Sequence, residues 1–74
     1  MPEWPRLSGA EIVRALERLG FAQIRQRGSH VVMRKGASGC VVPLHREVKL
    51  GTLAGLVRQA GLTAEEFLGA VRKR

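Results

Sequence analysis

Between Phe21 and Leu44 the chain makes three short β-type runs separated by breaks of a few residues: FAQIRQR, then Gly28-Ser29, then HVVMRK, then Gly36-Ala37-Ser38-Gly39, then CVVPL. Breaks this short admit hairpin turns and no crossover helix, so successive strands must pair as antiparallel neighbours. In FAQIRQR, Ala22 and Ile24 point one way and Gln23, Arg25 and Arg27 the other, the pattern of a half-buried strand with a basic outer face. In HVVMRK the apolar parity is Val31 with Met33, which leaves His30, Val32 and Arg34 on the opposite face. Gly36 to Gly39 reads as a flexible hairpin turn, and Pro43 ends the third strand.

Helical periodicity flanks this centre. Pro2 and Pro5 mark an irregular lead-in whose Trp4 is expected to fold back onto the body. Ser8 and Glu11 form a capping box, followed by an apolar stripe of Ile12, Leu16 and Leu19 with Val13 and Ala15 beside it, and Gly20 is placed to end that helix. After the polar connection HREVKLGTL, Leu53, Leu56, Val57 and Ala60 repeat at helical spacing up to Gly61. Thr63 and Glu66 make a second capping box, opening a short helix with Phe67, Leu68 and Val71 on its buried side, and the tail Arg72-Lys73-Arg74 suits a helix C-terminus. The expected order is α-β-β-β-α-α: an α+β fold, with a three-stranded antiparallel sheet and helices on one of its faces.

With 74 residues and no internal repeat or long linker, residues 1–74 are expected to form a single domain. A chain of this length buries about 60–65% of the surface its unfolded form exposes, and a 45% hydrophobic content is enough to fold. No segment is long and apolar enough to span a bilayer, and the N-terminus lacks the layout of a secretory signal. Cys40 has no second cysteine to pair with, and one thiol with two scattered histidines makes a poor metal site. The expected setting is cytoplasmic and reducing, without membrane, metal or cofactor. Thirteen Lys and Arg against six acids leave a net charge of +7, which calls for a polyanion or an acidic protein as partner. Ten of the thirteen cations are arginine, whose planar fork suits phosphate.

His30 is the strongest chemical candidate. Imidazole titrates near neutrality and can exchange a proton during phosphodiester cleavage without metal, and Arg25, Arg27 and Arg34 on the same face could hold the phosphate and stabilise added transition-state charge. The competing reading is an ordinary surface histidine at a strand start. Ser29 either orients a phosphate or His30, or simply makes the turn. Lys49, ahead of the second helix with Gly51 keeping that end open, and Arg46 nearby form a second basic patch, for phosphate or merely solvated. His45 either touches phosphate or caps the next helix. No glycine-rich phosphate loop is present, and capping accounts for Glu65 and Glu66. The stretch LVRQAGLTAEEFLGAV looks like a DNA-reading helix-turn-helix, but Val57 is bulky where the helices would cross and the second helix is acidic.

The segments LSGAEIVRALERLGF, RQRGSH, VVPLHREVKLGTL and VRQAGLTAEEF, in this order from Leu7 to Phe67, resemble the HicA toxin family of bacterial toxin–antitoxin systems. The resemblance implies a fold like the double-stranded-RNA-binding domain and translation-independent cleavage of mRNA, with the family's essential histidine falling on His30. It also implies a HicB-type antitoxin that covers the active face. The chain keeps Gly28-Ser29-His30 and Gly51-Thr52-Leu53, and departs from many relatives in having Ser38-Gly39-Cys40 where they carry a more basic hairpin. On this reading His30 is the general acid or base, and Arg25, Arg27 and Lys49 bind flanking phosphates. Two alternatives remain: a non-catalytic RNA-binding domain of the same fold, with His30 as a contact, and the DNA-binding module.

Overall fold

The sequence order is the observed order. The chain runs α1 (Gly9–Arg18), β1 (Ala22–Arg27), β2 (His30–Lys35), β3 (Ser38–Pro43), α2 (Leu50–Gln59) and α3 (Ala64–Arg72) in a computed structural model that describes residues 4–72. Pro2 of the lead-in and Lys73 and Arg74 of the basic tail lie outside the described residues.

Both capping boxes form. Glu11 N donates to the Ser8 hydroxyl at 3.1 Å while Ser8 N donates to the Glu11 carboxylate at 2.9 Å, and Thr63 and Glu66 repeat the exchange at 3.1 and 2.9 Å. Each pair satisfies amides that a helix start leaves open. Gly20 turns the chain out of α1 at φ 94°, a conformation that favours glycine. Beside it the Lys35 ammonium donates to the Leu19 carbonyl at 2.8 Å and places a cation at the negative end of the helix. Gly9 is tight for a different reason: a β-carbon there would collide with the Pro43 carbonyl oxygen, and its amide donates to the His45 carbonyl at 2.9 Å.

The strands form one antiparallel sheet in the order β1-β2-β3. Val31, Met33, Cys40 and Val42 are buried beneath the helices, together with Ile12, Leu16, Leu53, Leu56, Val57 and Phe67. Trp4 packs back as expected, its ring 6.3 Å from that of Phe67. α2 runs antiparallel to β3: six residues separate Pro43, where β3 ends, from the start of α2, and Gly61 past the far end of α2 comes close to the Ser38 hydroxyl at the start of β3. The arrangement is α+β, with a three-stranded antiparallel sheet and three helices, consistent with the double-stranded-RNA-binding-domain type of fold.

Four local expectations are corrected. β1 is not half-buried; every residue from Ala22 to Arg27 is exposed, and only Phe21 ahead of it enters the core. The strand overhangs the helical layer and packs chiefly on β2. The register also slips between Gln23 and Arg25, so Ile24 is an extra residue without a partner on β2. The bulge separates Gln23, paired with buried Met33, from Arg25 and Arg27, paired with Val32 and His30 on the outer face. The second turn is shorter than read: only Gly36 and Ala37 form it, because Ser38 pairs with Lys35 and Gly39 with Arg34. The connection before α2 is not wholly polar, since Val48 is buried and its amide donates to the Leu7 carbonyl at 2.8 Å.

Candidate functional site

Three cross-strand rows make up the outer face of the sheet. Ala22, Arg34 and Gly39 form the first, Arg25, Val32 and Val41 the second, and Arg27 and His30 the third, with Pro43 paired to His30 from β3. Opposed residues of an antiparallel pair share a face with β-carbons about 4.5–5.5 Å apart. The register therefore gathers Arg25, Arg27, Arg34 and His30 on one surface, as the strand parity required.

His30 opens β2 at the rim of that surface and is exposed. Its position is set by the two-residue turn before it. Gly28 takes φ 55° there, which a hairpin of this length demands at its first central position. The Gln26 side-chain amide donates to the Gly28 carbonyl at 3.1 Å, and Leu44 N donates to the Ser29 carbonyl at 2.6 Å. Ser29 thus fixes the turn through its backbone, leaving its exposed side chain free to meet a ligand. Gln26 is a residue the sequence reading missed: nothing in a glutamine one place from a basic run signals that it braces a turn.

The second basic patch comes to the same end of the sheet. The connection carrying His45, Arg46 and Lys49 starts at Pro43, opposite His30, and is tied to Gly9 through the His45 carbonyl. Because α2 runs back along β3, Lys49 at its N-cap also falls at the His30 end. Arg46 and Lys49 are exposed, beside the sheet face and not on it. No side chain caps α2, no acid lies in its first turn, and nothing crowds Gly51. The His30 end of the sheet thus carries guanidinium groups on its outer face, with the uncapped N-terminus of α2 at its edge. Arg6 and Glu47 make only a long, solvated ion pair of 3.9 Å beside this connection, which leaves the basic balance unaltered.

Arg34 is placed by a glycine. A β-carbon at Gly39 would stand 3.0 Å from the Met33 carbonyl oxygen, 3.2 Å from Arg34 Cγ and 3.5 Å from its Nε, so the bare backbone of β3 leaves room both for the close approach of β2 and for the arginine. The sequence assigned Gly39 to a turn and so missed this role. Between the basic rows runs an apolar one: Val32 is half-buried, while Val41 is 44% and the bulged Ile24 58% exposed.

Cys40 lies on the buried side of β3, where desolvation pushes its thiol up to about 11, far from a nucleophile at neutral pH. Among the described residues no helix is long and apolar enough to cross a membrane.

A family model described as the HicA toxin of bacterial toxin–antitoxin systems matches residues 9–62, from the start of α1 to just past α2. No curated protein matches the chain. The family match covers well over half of the chain and includes the hairpin, His30 and the whole basic face, so the chain belongs to the HicA toxin family.

Proposed function

We propose that this HicA-family toxin is a metal-independent endoribonuclease that cuts mRNA without the ribosome, and that a HicB-type antitoxin silences it. One observation carries the reading: the exposed imidazole of His30 faces Arg27 directly across the first hairpin, on the surface shared with Arg25 and Arg34. A phosphodiester laid on this face has guanidinium groups for its non-bridging oxygens and an imidazole at its ribose.

The chemistry then takes a plain form. The ribose 2′-oxygen attacks phosphorus, the bond to the 5′-oxygen breaks, and the products are a 2′,3′-cyclic phosphate and a free 5′-hydroxyl. His30 either removes the 2′-hydroxyl proton or delivers one to the departing 5′-oxygen, and water completes the other transfer. Arg25, Arg27 and Arg34 neutralise charge that grows on phosphorus as it becomes five-coordinate. Arg46, Lys49 and the open end of α2 bind phosphates further along the strand, and Ser29 contacts the strand at the turn. A single histidine with no evident second acid or base suits a slow enzyme whose effect needs few cuts.

The test is cleavage of a long single-stranded RNA in EDTA by the wild type and by His30→Ala. General acid–base catalysis contributes about 10²–10⁴-fold, so the variant should lose at least that lower factor while binding RNA as before. RNA bound by both proteins and cut by neither would make the domain a non-catalytic RNA binder with His30 as a contact.

A further inference from the structure

We propose that the recess on the outer sheet face between Arg25 and Arg34 is a base subsite, which takes an unpaired guanine one nucleotide away from the ribose that is cut. The inference rests on the ribonuclease reading above and gives its RNA a base preference.

The recess encloses about 420 Å³ and is lined by Ile24, Arg25, Val32, Arg34, Gly39 and Val41, with Gln59 of α2 at its edge. A volume of this size lies in the range of small-ligand sites. Val32 and Val41, paired across β2 and β3, form its aliphatic floor. Ile24, which the bulge inserts ahead of Arg25, walls the β1 side. Arg34 is flanked by Ala22 and Gly39, which carry too little side chain to close the far end. Val32 is two residues from His30, about 7 Å along β2. So short a step makes the occupant a neighbour of the nucleotide that meets the imidazole.

Single-stranded RNA is read through bases splayed onto flat side chains and hydrogen-bonded along their edges. Trp4, Phe21 and Phe67 all pack with the core, so the flat groups at the recess are the guanidinium planes of Arg25 and Arg34. Among the described residues no carboxylate lines the recess, and Gln59 brings its one side-chain oxygen. Side chains that donate and scarcely accept select a base edge made of acceptors. Guanine offers N7 and O6 side by side, spaced for an arginine fork. Adenine and cytosine each put an amino donor on that edge, and uracil has a single oxygen there. Arg34 has five N–H donors, so pairing with a base leaves its charge in place for the phosphates. A base held here is outside any duplex, so the cut falls in unpaired RNA.

The experiment uses the full chain and 2′-O-methylated oligonucleotides with one ribonucleotide each, since cleavage needs the 2′-hydroxyl and so falls at a fixed place. The base on either side of that ribonucleotide is varied among guanine, adenine, uracil, cytosine and none. Wild-type kcat/KM should favour guanine over adenine at one of the two places by roughly fivefold or more, the weaker end of what a bidentate pair discriminates. Arg34→Gln should cut more slowly but move that ratio toward adenine, whose N6 and N7 suit a glutamine amide. Arg34→Lys keeps the charge without the fork and should bring the ratio close to one. Arg34 is exposed, so the fold should survive both changes, which melting curves check. Equal rates for all five at both places, or a preference for another base, overturn the proposal and leave the ribonuclease reading standing. A guanine preference unchanged in both variants places the base elsewhere and overturns it too. If nothing is cut, the ribonuclease reading fails, and affinities for the same oligonucleotides decide the subsite. An Arg34-dependent preference for guanine then sustains it, and equal affinities overturn it.

Discussion

Arg27 stands directly opposite His30 across the first hairpin, with Gly28 and Ser29 as the only residues between them. A two-residue turn leaves no slack, so the guanidinium and the imidazole are presented together wherever the hairpin goes. If both serve one phosphodiester they should fail differently. Arg25→Gln with Arg27→Gln should weaken RNA binding and make its salt dependence shallower by about 0.7 per phosphate contact removed. Arg58→Gln, in the last turn of α2 at the opposite end of β3 from His30, should leave the slope unaltered. Binding titrations between low and moderate salt decide the matter, and equal slopes in all three proteins would remove these arginines from the RNA contact.

Gly39 leaves the space in which Arg34 lies across β3. Gly39→Ala should press on the Met33 carbonyl oxygen as well as lift that side chain, lowering the melting temperature and weakening RNA binding about as much as Arg34→Gln does. The double variant should be little worse than either single one, because the two changes remove the same contact. Additive losses in that cycle would show that Gly39 acts on stability alone.

Burial holds the Cys40 thiol far above its ordinary range, at about 11. At pH 8 the native protein should react with a thiol reagent roughly a hundredfold more slowly than the same chain in denaturant. Rapid labelling of the native state would mean that β3 opens readily, and with it the sheet that carries His30.

The caps should govern acid sensitivity. Hydrogen bonds from Ser8 hold the Glu11 carboxyl below the usual carboxylate range, and bonds from Thr63 do the same for Glu66. Each group binds its proton less readily when folded than when unfolded, so stability rises with pH across this range. The contribution is complete above the ordinary carboxylate pKa and disappears as pH falls through the depressed folded values. Melting temperatures at pH 7 and about pH 3 should therefore differ less in an E11Q/E66Q protein than in the wild type. At neutral pH, Ser8→Ala should cost about 1 kcal/mol, a fall of about 4–8 °C in a domain of this size. An unchanged acid response in the double variant would assign the sensitivity to the net positive charge instead.

The parts of the fold legible in the sequence are those fixed by neighbours in sequence. Ser8 with Glu11 and Thr63 with Glu66 announce their helices because each box closes over three residues, and Gly20 and Gly61 end helices for reasons local to the backbone. The outer-face placement of His30, Arg25, Arg27 and Arg34 was legible too, since β2 alternates strictly and its pairing carries the parity across. What stayed hidden depends on distant partners. Strict alternation put Gln23 with Arg25, and only pairing against β2 reveals the slip at Ile24 that separates them. Exposure of β1 on both faces follows from where the helices end, which no pattern within the strand records. Gly39 read as a turn residue because the arginine it accommodates comes from the neighbouring strand.

β1, which carries Arg25 and Arg27, leans on little besides β2. Backbone amides in such a strand are expected to open to exchange at a lower free energy than those of β2 and β3, which share the core. Whatever binds across the outer face bridges this loose strand to the firm ones, and its affinity includes the work of stilling them as one body. Slowed deuterium uptake between Ala22 and Arg27, with little change in the helices, would be the signature of a ligand seated on that face.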